Sequence, residues 1–99
     1  MTIFLVTVLR VETGEERHRT WGWYLRFEDA EKSVLENHTD IFERGYYSLA
    51  VIEEYPERVC AVNRNSWWYQ ATYTNTDEEP VVKKIDVPED FTQICCIAF

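Results

Sequence analysis

Between Arg17 and Arg26 the chain reads RHRTWGWYLR, which sets three arginines and a histidine around two tryptophans and a tyrosine with no acid among them. These residue types combine into a specific chemistry. A guanidinium is a bidentate fork that fits phosphate, and an indole is a flat apolar surface on which a base can stack; neither needs a basic protein around it. The segment carries +3 in a chain of net charge −8, so the remainder carries −11. Strand alternation puts Arg17, Arg19, Trp21, Trp23 and Leu25 on one face, and His18, Thr20, Gly22, Tyr24 and Arg26 on the other. Two readings follow. In one, the tryptophans cover the sheet while the arginines snorkel out to pair with the abundant acids. In the other, the ladder binds phosphate and base, and Gly22 eases a close approach by removing a side chain opposite the tryptophans.

A second aromatic group lies in GYYS and SWWYQATY. Alternation places Trp67, Tyr69, Ala71 and Tyr73 on one face, with Trp68, Gln70 and Thr72 on the other. If one face is core, the other displays aromatic surface for a homodimer contact or for ligand stacking. The candidate ligand-binding set is Arg17, Arg19, Thr20, Trp21, Trp23, Tyr46, Tyr47 and Trp67.

Other chemistries find less support. Three glycines spread along the chain cannot build a phosphate loop. His18, His38, Cys60, Cys95 and Cys96 show no paired zinc spacing, so no metal site and no cofactor is expected. Glu36, Asp40 and Glu43 share one side of a helix if the helix runs through them; paired carboxylates there can hold a divalent ion, or form a solvated face. His38 falls in the apolar stripe of that same helix and reads as semi-core. Cys95 and Cys96 sit in a run too apolar to lower a thiol pKa, and no nucleophile–base arrangement is legible, so no catalytic residue is named.

The elements that must position these residues follow from periodicity. TIFLVTVLRVE is β-branched and apolar on both faces, as a central strand is. ETGEE turns the chain into RHRTWGWYL to make a hairpin. From Phe27 the spacing changes to three and four through Ala30, Val34, Leu35, His38, Ile41 and Phe42, an amphipathic helix that ENHTD either continues or divides. YYSLAVIEEY, WWYQATY, VVKKIDV and QICCIAF read as strands, with VCAV a short extension. The expected fold is α+β: a largely antiparallel sheet of five to six strands with one helix, whole or broken, on one face, in the order β-β-α-β-β-β-β.

At 99 residues, 45% of them hydrophobic, the chain is expected to form a single domain, residues 1–99, with one core. The opening apolar run lacks a basic n-region and reads as a buried strand rather than a targeting or membrane segment. With an odd number of cysteines, free thiols and a cytosolic setting are expected. The acidity disfavours whole-surface binding to the DNA or RNA backbone.

The combination of RTWGWY, FEDAEKSVLENHTDIFERGYYSLAVIEEYPE and WWYQA resembles a family of small proteins of phages and mobile elements of Gram-positive bacteria. Matching positions are Arg19, Thr20, Gly22, Trp23, Asp40, Ile41, Tyr46, Tyr47, Ala50, Val51, Ile52, Glu53, Trp67 and Trp68, spread from Arg19 to Ala71. Arg26 departs from the pattern, standing where a capping Ser or Thr is expected, and His38–Thr39 interrupt the Asn37 to Asp40 segment. The resemblance implies a source and a role: an accessory phage protein, acting in the cytoplasm of the infected host, that blunts a defence. On that basis the expectation is a non-enzymatic, homo-oligomeric binding module that sequesters a small nucleotide or cyclic nucleotide immune signal. The alternative is an acidic inhibitor whose Glu53, Glu54, Glu57, Asp77, Glu78 and Glu79 mimic nucleic acid before a host defence protein. A third reading is a metal-dependent nucleotide-degrading enzyme using Asp40 and Glu43.

Overall fold

The computed structural model describes residues 2–12, 15–56, 65–74 and 79–88. The apolar, β-branched opening forms strand β1 (Ile3–Glu12), which turns back into β2 (Glu15–Tyr24). Helix α1 (Phe27–Leu35) follows, then a short 3-10 turn (Glu43–Gly45) and strands β3 (Leu49–Tyr55), β4 (Asn65–Thr72) and β5 (Val81–Ile85). The strands make one antiparallel sheet in the order β2-β1-β3-β4-β5. The α+β expectation holds, with five strands among the described residues in the order β-β-α-β-β-β. The strands read at VCAV and QICCIAF lie outside the described residues.

Burial explains why β1 is interior. Val6 and Val8 are fully buried on the helix side with Ala30, Val34, Ala50, Ile52 and Tyr69, and Leu9 is buried on the other side with Val51 and Trp68. A strand apolar on both faces loses nothing by being covered on both, and β1 accordingly lies between β2 and β3. At the β1–β2 hairpin the register slips: Val6 faces Gly22 and Thr7 faces Thr20, leaving Trp21 as an extra residue in a β-bulge.

Helix α1 starts without a side-chain cap, since Arg26 at the N-cap makes no such bond, while Glu28 and Asp29 in its first turn favour the positive end of the helix dipole. Spacings of three and four put Phe27, Ala30 and Val34 on the sheet. The helix ends at Leu35, because Asn37, Thr39 and Asp40 take φ of 48°, 52° and 57°, outside helical backbone. Ile41 and Phe42 still reach the core, delivered by a turn instead of a helical stripe, and His38 is exposed instead of semi-core. Tyr46 and Tyr47 likewise precede β3 and belong to this turn.

Tyr69 ties helix to sheet: its hydroxyl donates to Glu31 Oε2 at 2.6 Å. Burial first, then the bond to Glu31 and its charge, push the Tyr69 hydroxyl well above the ordinary phenol range. Because the folded state holds this proton more tightly than the unfolded chain, the stabilisation is complete below about pH 10 and declines as pH rises beyond it. Tyr69→Phe should therefore lower stability at neutral pH by about 1.5–3 kcal/mol, the worth of a hydrogen bond to a charged group, and flatten the alkaline loss. Urea denaturation of both proteins from pH 7 to 11 checks it; equal alkaline slopes would remove Tyr69 as their source.

Candidate functional site

The bulge decides which side chains can meet. Before it, Arg17 lies opposite Arg10 and Arg19 opposite Val8. Val8 belongs to the core beneath the helix, so Arg10, Arg17 and Arg19 project from that same face. Past the extra residue, the face changes hands: Gly22 and Tyr24 oppose Val6 and Phe4 on the helix side, whereas Trp23 opposes Leu5 on the other. The five-residue ladder expected from strict alternation is therefore split. Trp21 packs half-buried against the helix-side core, and Trp23, 60% exposed, shares the opposite face with His18 and Thr20. A methyl group built on Gly22 would meet nothing within 4 Å, so packing does not require a glycine there.

What gathers on the helix side is an arginine ledge at the end of the sheet that carries the Glu43–Gly45 turn. Arg10 Nη1 donates to the Tyr46 carbonyl at 3.0 Å, and its guanidinium carbon lies 4.6 Å from the centre of the Tyr46 ring. Arg19 pairs with Glu43 Oε2 at 3.2 Å, and its guanidinium lies 5.5 Å from the Trp21 ring centre. Tyr46 meets Tyr47 edge-on at 4.9 Å. Cations directly opposite each other, as Arg10 and Arg17 are, oppose strand pairing, and the Tyr46 ring and carbonyl that engage Arg10 offset that cost in part. Arg10 is the residue that sequence reasoning missed. Its alternation with Val6 and Val8 hints at its face, but only the hairpin register sets it against Arg17.

Of the candidate set, Arg17, Arg19, Trp21 and Tyr46 come together. Thr20 and Trp23 lie on the other face, and Tyr47 is buried in the core. Trp67 sits on β4, three strands from β2, packed against Phe27 at 4.5 Å and Phe4 at 6.3 Å. Nor does β4 display an aromatic surface: Trp67, Tyr69 and Ala71 face the helix, and Trp68 is 3% exposed against Leu9 and Val51. Trp68 is thus buried on the far face while Ser66, Gln70 and Thr72 beside it are exposed, so neither face of β4 presents the aromatic surface expected of it.

The rim of the ledge is a turn held in left-handed backbone. Asn37, Thr39, Asp40, Glu43 and Arg44 have φ between 48° and 57°, and Gly45 has 93°. Each non-glycine residue in this region costs roughly 1–2 kcal/mol. The Asn37 side chain offsets part of that cost, accepting from the Phe42 amide at 3.1 Å and donating to Glu79 Oε2 at 3.2 Å and Asp40 Oδ1 at 3.4 Å. Asp40 Oδ1 in turn accepts the Arg44 amide at 3.1 Å. Gly45 lets the turn lie against Tyr73, whose ring would be 3.4 Å from an added Cβ. Burial, with Asp40 and Glu79 nearby, raises the pKa of Tyr73.

This geometry corrects two further expectations. Asp40 and Glu43 do not share a helix face: one organises the turn and the other pairs with Arg19. Among the described residues no group of three or more His, Cys, Asp or Glu is arranged to hold a metal ion. The acidic surface is also reduced, because Glu53 is 0% exposed, Glu54 accepts from Asn65 at 2.8 Å, and Glu57, Asp77 and Glu78 lie outside the described residues, as do Cys60, Cys95 and Cys96. No described helix is long and apolar enough to cross a membrane. Comparison with protein-family models, with curated proteins and with solved structures returns no match.

The turn generates a test of its own. Asn37→Gly and Asn37→Ala lose the same three hydrogen bonds, but only alanine meets the left-handed penalty. The alanine variant should be the less stable by about 1 kcal/mol in urea melts. Equal losses would show that the bonds, and not the backbone, decide this position.

Proposed function

We propose that the chain is a non-enzymatic binding module that captures a small nucleotide or cyclic nucleotide on the ledge of Arg10, Arg17 and Arg19. The observation that carries this reading is the convergence of three guanidinium groups on one sheet face, two of them stacked on Tyr46 and Trp21, in a chain otherwise strongly acidic. Phosphate oxygens accept from the arginine forks, and a base stacks on a guanidinium or ring plane at the rim. Binding displaces Glu43 from Arg19, exchanging one exposed ion pair for a charge-assisted phosphate contact. In the phage setting implied by the family resemblance, such capture would withdraw a nucleotide immune signal from the host. The nucleic-acid-mimic reading loses ground to the burial of Glu53. The hydrolytic reading loses ground to the structural engagement of Asp40 and Glu43.

Calorimetry against cyclic and ADP-ribose-derived nucleotides should find a ligand bound more tightly than about 10 μM, roughly −7 kcal/mol. Arg10→Ala and Arg19→Ala should each cost about 1.5–3 kcal/mol of that affinity. Loss of the exposed Arg19–Glu43 pair should change stability by less than about 1 kcal/mol. No binding across the panel, or unfolding on Arg19→Ala, would remove the reading.

A further inference from the structure

The end of the sheet opposite the arginine ledge has a chemistry of its own, independent of nucleotide binding. Phe4 and Arg10 share the helix-side face of β1, six residues and roughly 20 Å apart. At the Phe4 end, register sets four residues of adjacent strands side by side: Tyr24 on β2, Phe4 on β1, Glu54 on β3 and Asn65 on β4. Phe4 and Trp67 lean across β3 until their ring centres are 6.3 Å apart. Phe27, the first residue of α1, closes the group at 6.0 Å from Phe4 and 4.5 Å from Trp67. Ile52, opposite Trp67 on β3, is fully buried, whereas Glu54, opposite Phe4, is only half-buried.

These residues set a carboxylate against aromatic rings. Glu54 Oε1 accepts from Asn65 at 2.8 Å, which uses one of the several bonds a carboxylate accepts. Phe4, Phe27 and Trp67 are each half-buried, and the edge-on contact of Phe4 with Phe27 covers the face of only one of the two rings. A ring face attracts a cation through its quadrupole, more strongly where water is partly excluded, and a carboxylate beside it adds a charge-assisted hydrogen bond from an N–H donor. A small inorganic cation holds its water and gains little from ring faces, while an organic cation, with an apolar body and a charged head, gains from both. The chain's own Arg26 is engaged 3.8 Å from Glu28. A net charge of −8, with Glu28 and Asp29 exposed beside Phe27, draws cations to this end. We infer that Glu54, Phe4, Phe27 and Trp67 form a site for an organic cation, a guanidinium or alkylammonium group carried by a partner's side chain or by a free small molecule.

The probe is methylguanidinium chloride, followed by NMR at the Trp67 indole N–H, which Trp67→Phe assigns. The signal should shift and saturate in the millimolar range, and sodium chloride of equal ionic strength should not move it. Glu54→Gln, which keeps an acceptor for Asn65, should weaken binding about tenfold, and Phe27→Leu, which keeps apolar packing, about two- to fivefold, with far-UV circular dichroism confirming that both are folded. A blocked Gly-Arg-Gly peptide that binds more tightly than methylguanidinium assigns the site to a polypeptide side chain; the reverse order assigns it to a free organic cation, and either order supports the site. Equal shifts with sodium, no shift at about 50 mM methylguanidinium, or undiminished binding by either folded variant would overturn it. Arg19→Ala should leave this titration unchanged, so the cation site and the nucleotide site stand or fall separately.

Discussion

Burial of β1 on both faces is the constraint from which the rest of this molecule follows. Val6 and Val8 go under the helix while Leu5 and Leu9 are covered on the opposite side. A strand covered twice cannot lie at an edge without exposing one apolar row, so β2 and β3 flank it, and the hairpin partner β2 becomes the outer strand. The far face is dry only at its centre: Thr7, Val51 and Glu53 have no solvent exposure, and Thr7 Oγ1 is buried with no hydrogen-bond partner among the described residues. Sheet position therefore determines which of the chain's many charges are left near solvent together.

A single inserted residue then sorts the aromatic and cationic groups of β2. Had the hairpin kept strict register, Arg17, Arg19, Trp21 and Trp23 would have formed one continuous row. With Trp21 in the bulge, the arginines stay on the helix side beside Arg10, and Trp23 moves to the other face. Bulges serve in many sheets to re-aim a side chain, and here the effect is to part Trp23 from the arginines.

The ledge combines two costs that act locally and are covered elsewhere. Arg10 and Arg17 face each other across a strand pair, and five non-glycine residues of the neighbouring turn hold left-handed backbone. The compensation is distributed: Arg10 bonds the Tyr46 carbonyl, Glu43 pairs with Arg19, and Asn37 satisfies the Phe42 amide while Ile41, Phe42 and Tyr47 are buried. Turn and ledge thus stabilise each other, and a change in one is felt in the other through Glu43 and Tyr46.

The sequence by itself determined the elements. Two-faced apolarity marked β1 as central, alternation and turn residues marked β2 to β5, and the three–four spacing from Phe27 marked the helix, because these periodicities reflect local backbone geometry. It also singled out Arg17, Arg19, Trp21 and Tyr46 by residue type. Only the tertiary structure decided which of them meet. Alternation cannot reveal a bulge, since an extra residue leaves every residue type unchanged and moves only those downstream, as it moved Trp23. Nor can helical spacing distinguish Ile41 and Phe42 on a helix from the same residues delivered by a left-handed turn, because both routes bury the same apolar groups. Arg10 joined the site, and Trp67, Tyr47 and Glu53 left the surface, through strand order and register, which are long-range pairings that no local pattern encodes.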